Sequence, residues 1–140
     1  MKRAIQIAFN AKDPHTLADF WAAALGYDIV ADEAFVEAMI EQGFATEDDT
    51  IRHNGILTWA DGAAASDPEG LLPRFYFQRS TTEKVGPNRL HFDLQVGPEH
   101  RDDEVKRLID LGATRLWDGN QGPHSWITLA DPEGNEFCVS

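Results

Sequence analysis

From residue 4 to residue 10 apolar and polar side chains alternate. Ile5, Ile7 and Phe9 fall on one face and Gln6, Ala8 and Asn10 on the other, the pattern of a strand with one face on a core. Asp13-Pro14 follows, an N-cap with proline at the first helical position. Leu17, Phe20, Trp21, Ala24 and Leu25 then recur at helical spacing until Gly26 stops the helix. Residues 27–30 predict a short strand, and residues 32–43 an amphipathic helix with Phe35, Ala38 and Met39 on one side. Residues 46–53 read as a polar loop, Asn54-Gly55 as a turn, and Ile56–Trp59 as a strand. Residues 62–73 read as a loop. Residues 74–80 predict a strand, with Phe75 and Phe77 opposite Tyr76 and Gln78, and residues 81–88 a polar connection through Gly86-Pro87.

The same order then returns. Residues 89–96 alternate, with Leu90, Phe92, Leu94 and Val96 on the face expected in the core and His91, Asp93 and Gln95 on the other. Residues 99–111 predict a helix with Val105, Leu108, Ile109 and Leu111 as its apolar stripe and Gly112 as its stop. A strand at 114–117, a turn at 118–123, an alternating strand at 124–130 and a last strand at 136–140 complete the chain. Asp-Pro-Glu-Gly occurs twice, at 67–70 and at 131–134, and Leu25-Gly26 corresponds to Leu111-Gly112. Repeated order outranks any single-residue argument, although Asp-Pro-Glu-Gly is also good turn chemistry in its own right.

The row His91, Asp93, Gln95 carries an imidazole, a carboxylate and an amide. Facing water, it needs no explanation, since antiparallel sheets often wet one side. Facing a cavity, it is a site.

Composition narrows the classes. The chain has 140 residues, enough for one compact domain or two small modules, with a single cysteine and a formal net charge of −12. One cysteine excludes an intrachain disulfide framework and makes a reducing cytoplasm the expected location. The acidic balance argues against nucleic acid and anionic membrane as partners. No apolar run approaches the length of a transmembrane helix, and the first residues lack the pattern of a signal peptide.

The sequence resembles the vicinal oxygen chelate superfamily, which includes glyoxalase I, bleomycin-resistance proteins and extradiol dioxygenases, and within it the compact glyoxalase-like domain proteins. The likeness is carried by Asp13-Pro14, Phe20-Trp21, Leu25-Gly26-Tyr27, Phe77-Gln78-Arg79, Asn88-Arg89-Leu90-His91-Phe92-Asp93, Leu111-Gly112-Ala113 and Asp131-Pro132-Glu133-Gly134-Asn135-Glu136-Phe137-Cys138. What it implies is an α+β fold: one domain over 1–140 made of two βαβββ modules, 1–82 and 88–140, whose curved mixed sheets form an open barrel. An insert at about 31–57 falls within the first module, and assembly as a homodimer is implied as well.

Metal-dependent members of that superfamily place ligands on the first and last strand of each module. Carried over, the resemblance implies Gln6, Gln78, His91 and Cys138. Gln78 and Cys138 stand where carboxylates are usual, and neutral amides bind divalent ions weakly, so no metal cofactor is expected. A divalent Zn, Ni, Fe or Mn ion on Gln6, Gln78, His91 and Cys138, with Asp93 able to substitute and His124 able to join, is the alternative. The expected ligand is then a small, partly aromatic molecule, met by Gln6, Trp59, Tyr76, Gln78, His91, Trp126, Thr128 and Cys138. The alternative activity is a metal-dependent lyase, isomerase or dioxygenase.

His91 and Asp93 are the candidate acid–base residues, although positions i and i+2 of a regular strand stand apart for a direct bond. Cys138 reads first as a small buried hydrophobe, and as a nucleophile only with His91 beside it. Trp21 and Trp117 are expected in the core. His15, His53 and His100 are expected on the surface.

Overall fold

The computed structural model describes residues 1–140 as two compact units, Met1–Thr82 and Glu83–Ser140. The fold is α+β, with three α-helices and two four-stranded mixed sheets.

In the first unit the strands are β1 (Gln6–Ala11), β2 (Asp28–Ile29), β5 (Gly62–Ser66) and β6 (Arg74–Arg79), joined in the order β1-β6-β5-β2. β1 runs parallel to β6, with Gln6 opposite Arg74 and Asn10 opposite Gln78. Helix α1 (Pro14–Leu25) starts where expected. The Asp13 carboxylate accepts from the Thr16 backbone N–H at 3.1 Å and from the Thr16 hydroxyl at 2.6 Å, and Gly26 closes the helix at φ 71°. Its face of Leu17, Phe20, Trp21 and Ala24 is buried with Phe75 and Phe77. The Trp21 ring lies 5.9 Å, centroid to centroid, from both Phe9 and Phe75.

Helix α2 (Glu33–Glu41) is capped by Asp32, whose carboxylate accepts from the Phe35 N–H at 2.9 Å. Its one buried side chain is Val36; Phe35, expected on the packed side, is 51% exposed. Two expectations for this unit change. The polar stretch before Asn54 is a short 3-10 turn followed by β3 (Thr50–His53), which pairs with β4 (Ile56–Trp59) as a separate two-stranded hairpin about Asn54-Gly55. The stretch expected to be a loop at 62–73 begins with β5, a central strand. Its Ala63, Ala64 and Ala65 are all buried, so no apolar–polar alternation announces it.

The second unit has β7 (Asp93–Leu94), helix α3 (Arg101–Leu111), β8 (Thr114–Gln121), β9 (His124–Ala130) and β10 (Glu136–Val139). Its order β7-β10-β9-β8 places first, last, third and second strands side by side, as in the first unit. α3 buries Val105 and Leu108, and the core is completed by Ile127, Leu129, Phe137 and Val139. Both Asp-Pro-Glu-Gly segments turn alike: the aspartate carboxylate accepts from the backbone N–H two residues on, and the glycine N–H donates to the aspartate carbonyl.

Here too the structure departs from the pattern. The strand expected over 89–96 is regular only at Asp93–Leu94, and Leu90 is 72% exposed rather than in the core. Single backbone bonds continue the pairing with β10, from the Cys138 N–H to the Phe92 carbonyl and from the Val96 N–H to the Ser140 carbonyl. β8 runs on to Gln121, well past the expected end at Trp117.

Candidate functional site

The ladder of the second sheet sets a row of side chains across all four strands. Asp93 pairs with Cys138, Cys138 with Thr128, and Thr128 with Trp117. Because side chains repeat every second residue along a strand, Glu136 lies on the same face as Cys138, and Trp126 on the same face as Thr128. These residues, with His91, Gln95 and His124, line a pocket of about 810 Å³ within the second unit, inside the size range of small-molecule sites.

The polar centre is compact. His91 Nδ1 stands 3.3 Å from Asp93 Oδ1, and one ligating atom from each of His91, Asp93 and Cys138 lies within 4.8 Å of the others. The direct His91–Asp93 approach corrects the spacing argument for an extended strand. His91 precedes the first regular strand residue, so its side chain is free to fold toward the carboxylate. An ionised Asp93 at that distance favours the proton on Nδ1 and leaves Nε2 as an acceptor. Thr128 Oγ1 is 3.5 Å from Cys138 Sγ.

Burial pushes the Cys138 thiol above its ordinary range. The Thr128 hydroxyl opposes that shift, and the Asp93 carboxylate adds to it both by its charge and as an acceptor. A thiol held protonated is a poor nucleophile at neutral pH. Asp93→Asn removes the raising charge and is therefore expected to increase the rate of Cys138 alkylation by iodoacetamide at pH 8 several-fold. An unchanged rate–pH profile would show that the two side chains do not communicate.

Glu136 is held ionised at the pocket edge. Burial works against its charge, but the Asn88 backbone N–H donates to it at 2.9 Å and Lys84 Nζ lies 3.0 Å away, and the balance lowers its pKa. The same two contacts fasten the 84–88 segment beside β10.

The aromatic wall comes from Trp117 and Trp126. Trp117, expected in the core, is 54% exposed and lines the pocket. The reason is a break in register between Arg115 and Trp117, which resets the phase of β8 so that Trp117 stands opposite Thr128. Trp126 lies over Gly119: a Cβ built there would come within 2.5 Å of three indole atoms. Glycine at 119 is what lets the indole lie down on the neighbouring strand. Glu136 could have been read from the sequence, two residues before Cys138 on the same face; Gly119 could not.

The remaining expected site residues belong to the first unit. The Gln6 amide oxygen accepts from Arg74, and the Gln78 amide donates to Asn10 at 2.7 Å, so both amides are taken up by cross-strand partners. Trp59 and Tyr76 line a different pocket, built wholly from first-unit residues. Two histidines expected on the surface are packed instead. His15 is 4% exposed with Nε2 at 2.8 Å from the Trp59 carbonyl oxygen. His53 Nε2 is 2.6 Å from Asp19 Oδ2, and the two imidazole rings are 5.0 Å apart.

The metal that the resemblance implies for metal-dependent relatives can be tested against these donors. A single tetrahedral ion with bonds of about 2.0–2.3 Å needs ligand atoms about 3.3–3.8 Å apart. The His91–Asp93 distance of 3.3 Å meets that, the three donor atoms lie within 4.8 Å of one another, and the thiol would have to lose its proton. His91, Asp93 and Cys138 thus fit three positions around a borderline-soft ion such as Zn²⁺, as one nitrogen, one oxygen and one sulfur.

Residues 6–140 match the family model described as "Glyoxalase-like domain". Solved structures share the fold at low identity. A glyoxalase/bleomycin resistance/dioxygenase family enzyme from Burkholderia phytofirmans matches at TM-score 0.62 and 16% identity, over 96% of this chain and 94% of that one. A mutant of the fosfomycin resistance protein FosX from Listeria monocytogenes, complexed with Mn(II) and 1S,2S-dihydroxypropylphosphonic acid, matches at TM-score 0.66 and 11% identity, over 99% and 91%. A hypothetical protein from S. aureus matches at TM-score 0.62 and 13% identity, over 99% and 93%. No curated protein sequence matches the chain. No helix is long and apolar enough to cross a membrane.

Proposed function

This chain belongs to the glyoxalase-like domain family, and we propose that its second unit binds a small, partly aromatic molecule in the pocket between Trp117 and the His91–Asp93–Cys138 centre. One observation carries the reading: a pocket of ligand size joins two tryptophans to a tight polar cluster on a single sheet face. Indole rings supply contact area at small entropic cost. A few fixed polar groups set orientation, here His91 Nε2 as acceptor and the Asp93 carboxylate.

The pocket lining holds Asp93 and Glu136 but no lysine or arginine. Anionic ligands therefore meet no direct counter-charge, and neutral or weakly basic rings are favoured. The test is a titration with neutral one- and two-ring aromatics, followed through the four assigned indole N–H resonances. Trp117 and Trp126 are expected to shift while Trp21 stays fixed. Binding that moves neither would remove the reading.

A second reading follows from the three converging donors. A divalent ion at His91, Asp93 and Cys138 would act as a Lewis acid toward a bound oxygen, the chemistry of a lyase, isomerase or dioxygenase. This chain's own part would be to hold the ion on one side and present Trp126 and Thr128 to the substrate. Metal content of protein purified without chelators decides. Near-stoichiometric zinc, nickel, iron or manganese, lost in His91→Ala, supports this reading; its absence after purification and after incubation with each ion leaves the metal-free one.

A further inference from the structure

A second pocket, of about 760 Å³, lies entirely within the first unit, and none of its lining residues lines the pocket of the second. It exists because of the inserted segment: α2 and the turn after it stand along the β4–β5–β6 side, so that Phe35 and Phe44 meet the same space as Trp59 and Tyr76. These rings are not core. Phe35 is 51% and Phe44 79% exposed, while Trp59 is held in place, its ring 6.5 Å from Phe35 and edge-on, its carbonyl fastened by His15. Exposed aromatic rings around a concavity mark a binding surface rather than packing.

The charge of the lining selects the ligand. Asp32, Asp49 and Asp61 border the pocket against one cation, Arg74. Two of the three aspartates are fixed by capping bonds, Asp32 to the Phe35 N–H and Asp49 to the Thr46 N–H, so their positions do not depend on a ligand. One ring already receives a cation: the Arg74 guanidinium stands 5.8 Å from the Tyr76 centroid. Aromatic faces and carboxylates together are the surroundings an ammonium group prefers.

We propose that this pocket is a second ligand site, specific for a small organic cation of the alkylammonium class. The cation is held over the Trp59 and Phe35 faces, with Asp61 and Asp49 as counter-charges.

The test uses choline as the probe, with 3,3-dimethyl-1-butanol as a neutral molecule of the same shape and hexanoate as an anion that would select Arg74 instead. Binding is read on the full chain from the Trp59 indole N–H resonance, which separates this pocket from the one bordered by Trp117 and Trp126. Choline is expected to shift Trp59 and to bind at least tenfold more tightly than the alcohol, and its affinity should fall with salt. Asp61 is 89% exposed and its ion pair with Arg79, at 3.5 Å, lies in solvent, where such pairs add little to stability. Asp61→Asn is therefore expected to leave the fold intact and to weaken choline two- to threefold. Trp59→Leu, which removes the reporter and is therefore followed by isothermal titration calorimetry, is expected to abolish choline binding. Equal affinity for choline and the alcohol, preference for hexanoate, or shifts confined to Trp117 and Trp126 would each overturn the proposal. None of those outcomes bears on whether aromatics bind in the second unit.

Discussion

Trp21→Ala is expected to destabilise the first unit by about 3–5 kcal/mol, the range for removing a large aromatic from a packed interior. Trp21 is 1% exposed and its ring sits between Phe9, Phe20 and Phe75, three side chains that α1, β1 and β6 bring together. Its neighbours Phe75 and Phe77 are themselves buried in the same close-packed interior, so removing the indole leaves a cavity. Urea denaturation followed by far-UV circular dichroism should show the midpoint falling sharply or the transition splitting. Trp117→Ala is the control. Its ring is 54% exposed, so the same change should alter stability by less than about 1 kcal/mol. Similar losses for the two would mean that the wall of the second-unit pocket is a structural core after all.

Gly119→Val is expected to be the most damaging single change to ligand binding. The new side chain takes space that the Trp126 indole occupies, and an indole cannot yield there without leaving its place over β8. Overpacking of this kind costs about 1–3 kcal/mol of stability, which a folded unit can survive. The pocket, however, loses one wall. Aromatics that shift the Trp117 and Trp126 resonances in the unaltered protein should bind at least tenfold more weakly. Gly119→Val with unchanged affinity would show that Trp126 takes no part in the site.

Much of this fold is legible in the sequence. Strands with one dry face declared themselves by alternation, as Phe75 and Phe77 do on β6 and Ile127 and Leu129 on β9. α1 was bounded by its own chemistry, Asp13 at one end and Gly26 at the other. The elements that stayed hidden lack that contrast. β5 is built on three consecutive buried alanines, Ala63, Ala64 and Ala65, so its centre has no polar phase. The far half of β8 is polar on both faces and is held by backbone pairing to β9, which side-chain pattern does not record. In the candidate site, His91, Asp93 and Cys138 are suggested by strand phase and by the resemblance. Trp117 did not, because an irregularity in register shifts its phase, and irregularities have no apolar signature.

The His91–Asp93 pair carries a related lesson. Regular geometry separates side chains two apart on a strand, yet these meet at 3.3 Å because only Asp93 lies within the regular strand. A segment that is not yet regular strand at His91 can bring its donors together where a continuous strand would hold them apart.

The most direct measurement is a crystal structure of the protein soaked with the tightest-binding aromatic from the resonance titration. The account predicts its ring against Trp117 or Trp126 and one of its polar atoms within hydrogen-bonding distance of His91 Nε2 or the Asp93 carboxylate. Density for the compound away from that sheet face, with His91, Asp93 and Cys138 untouched, would contradict it.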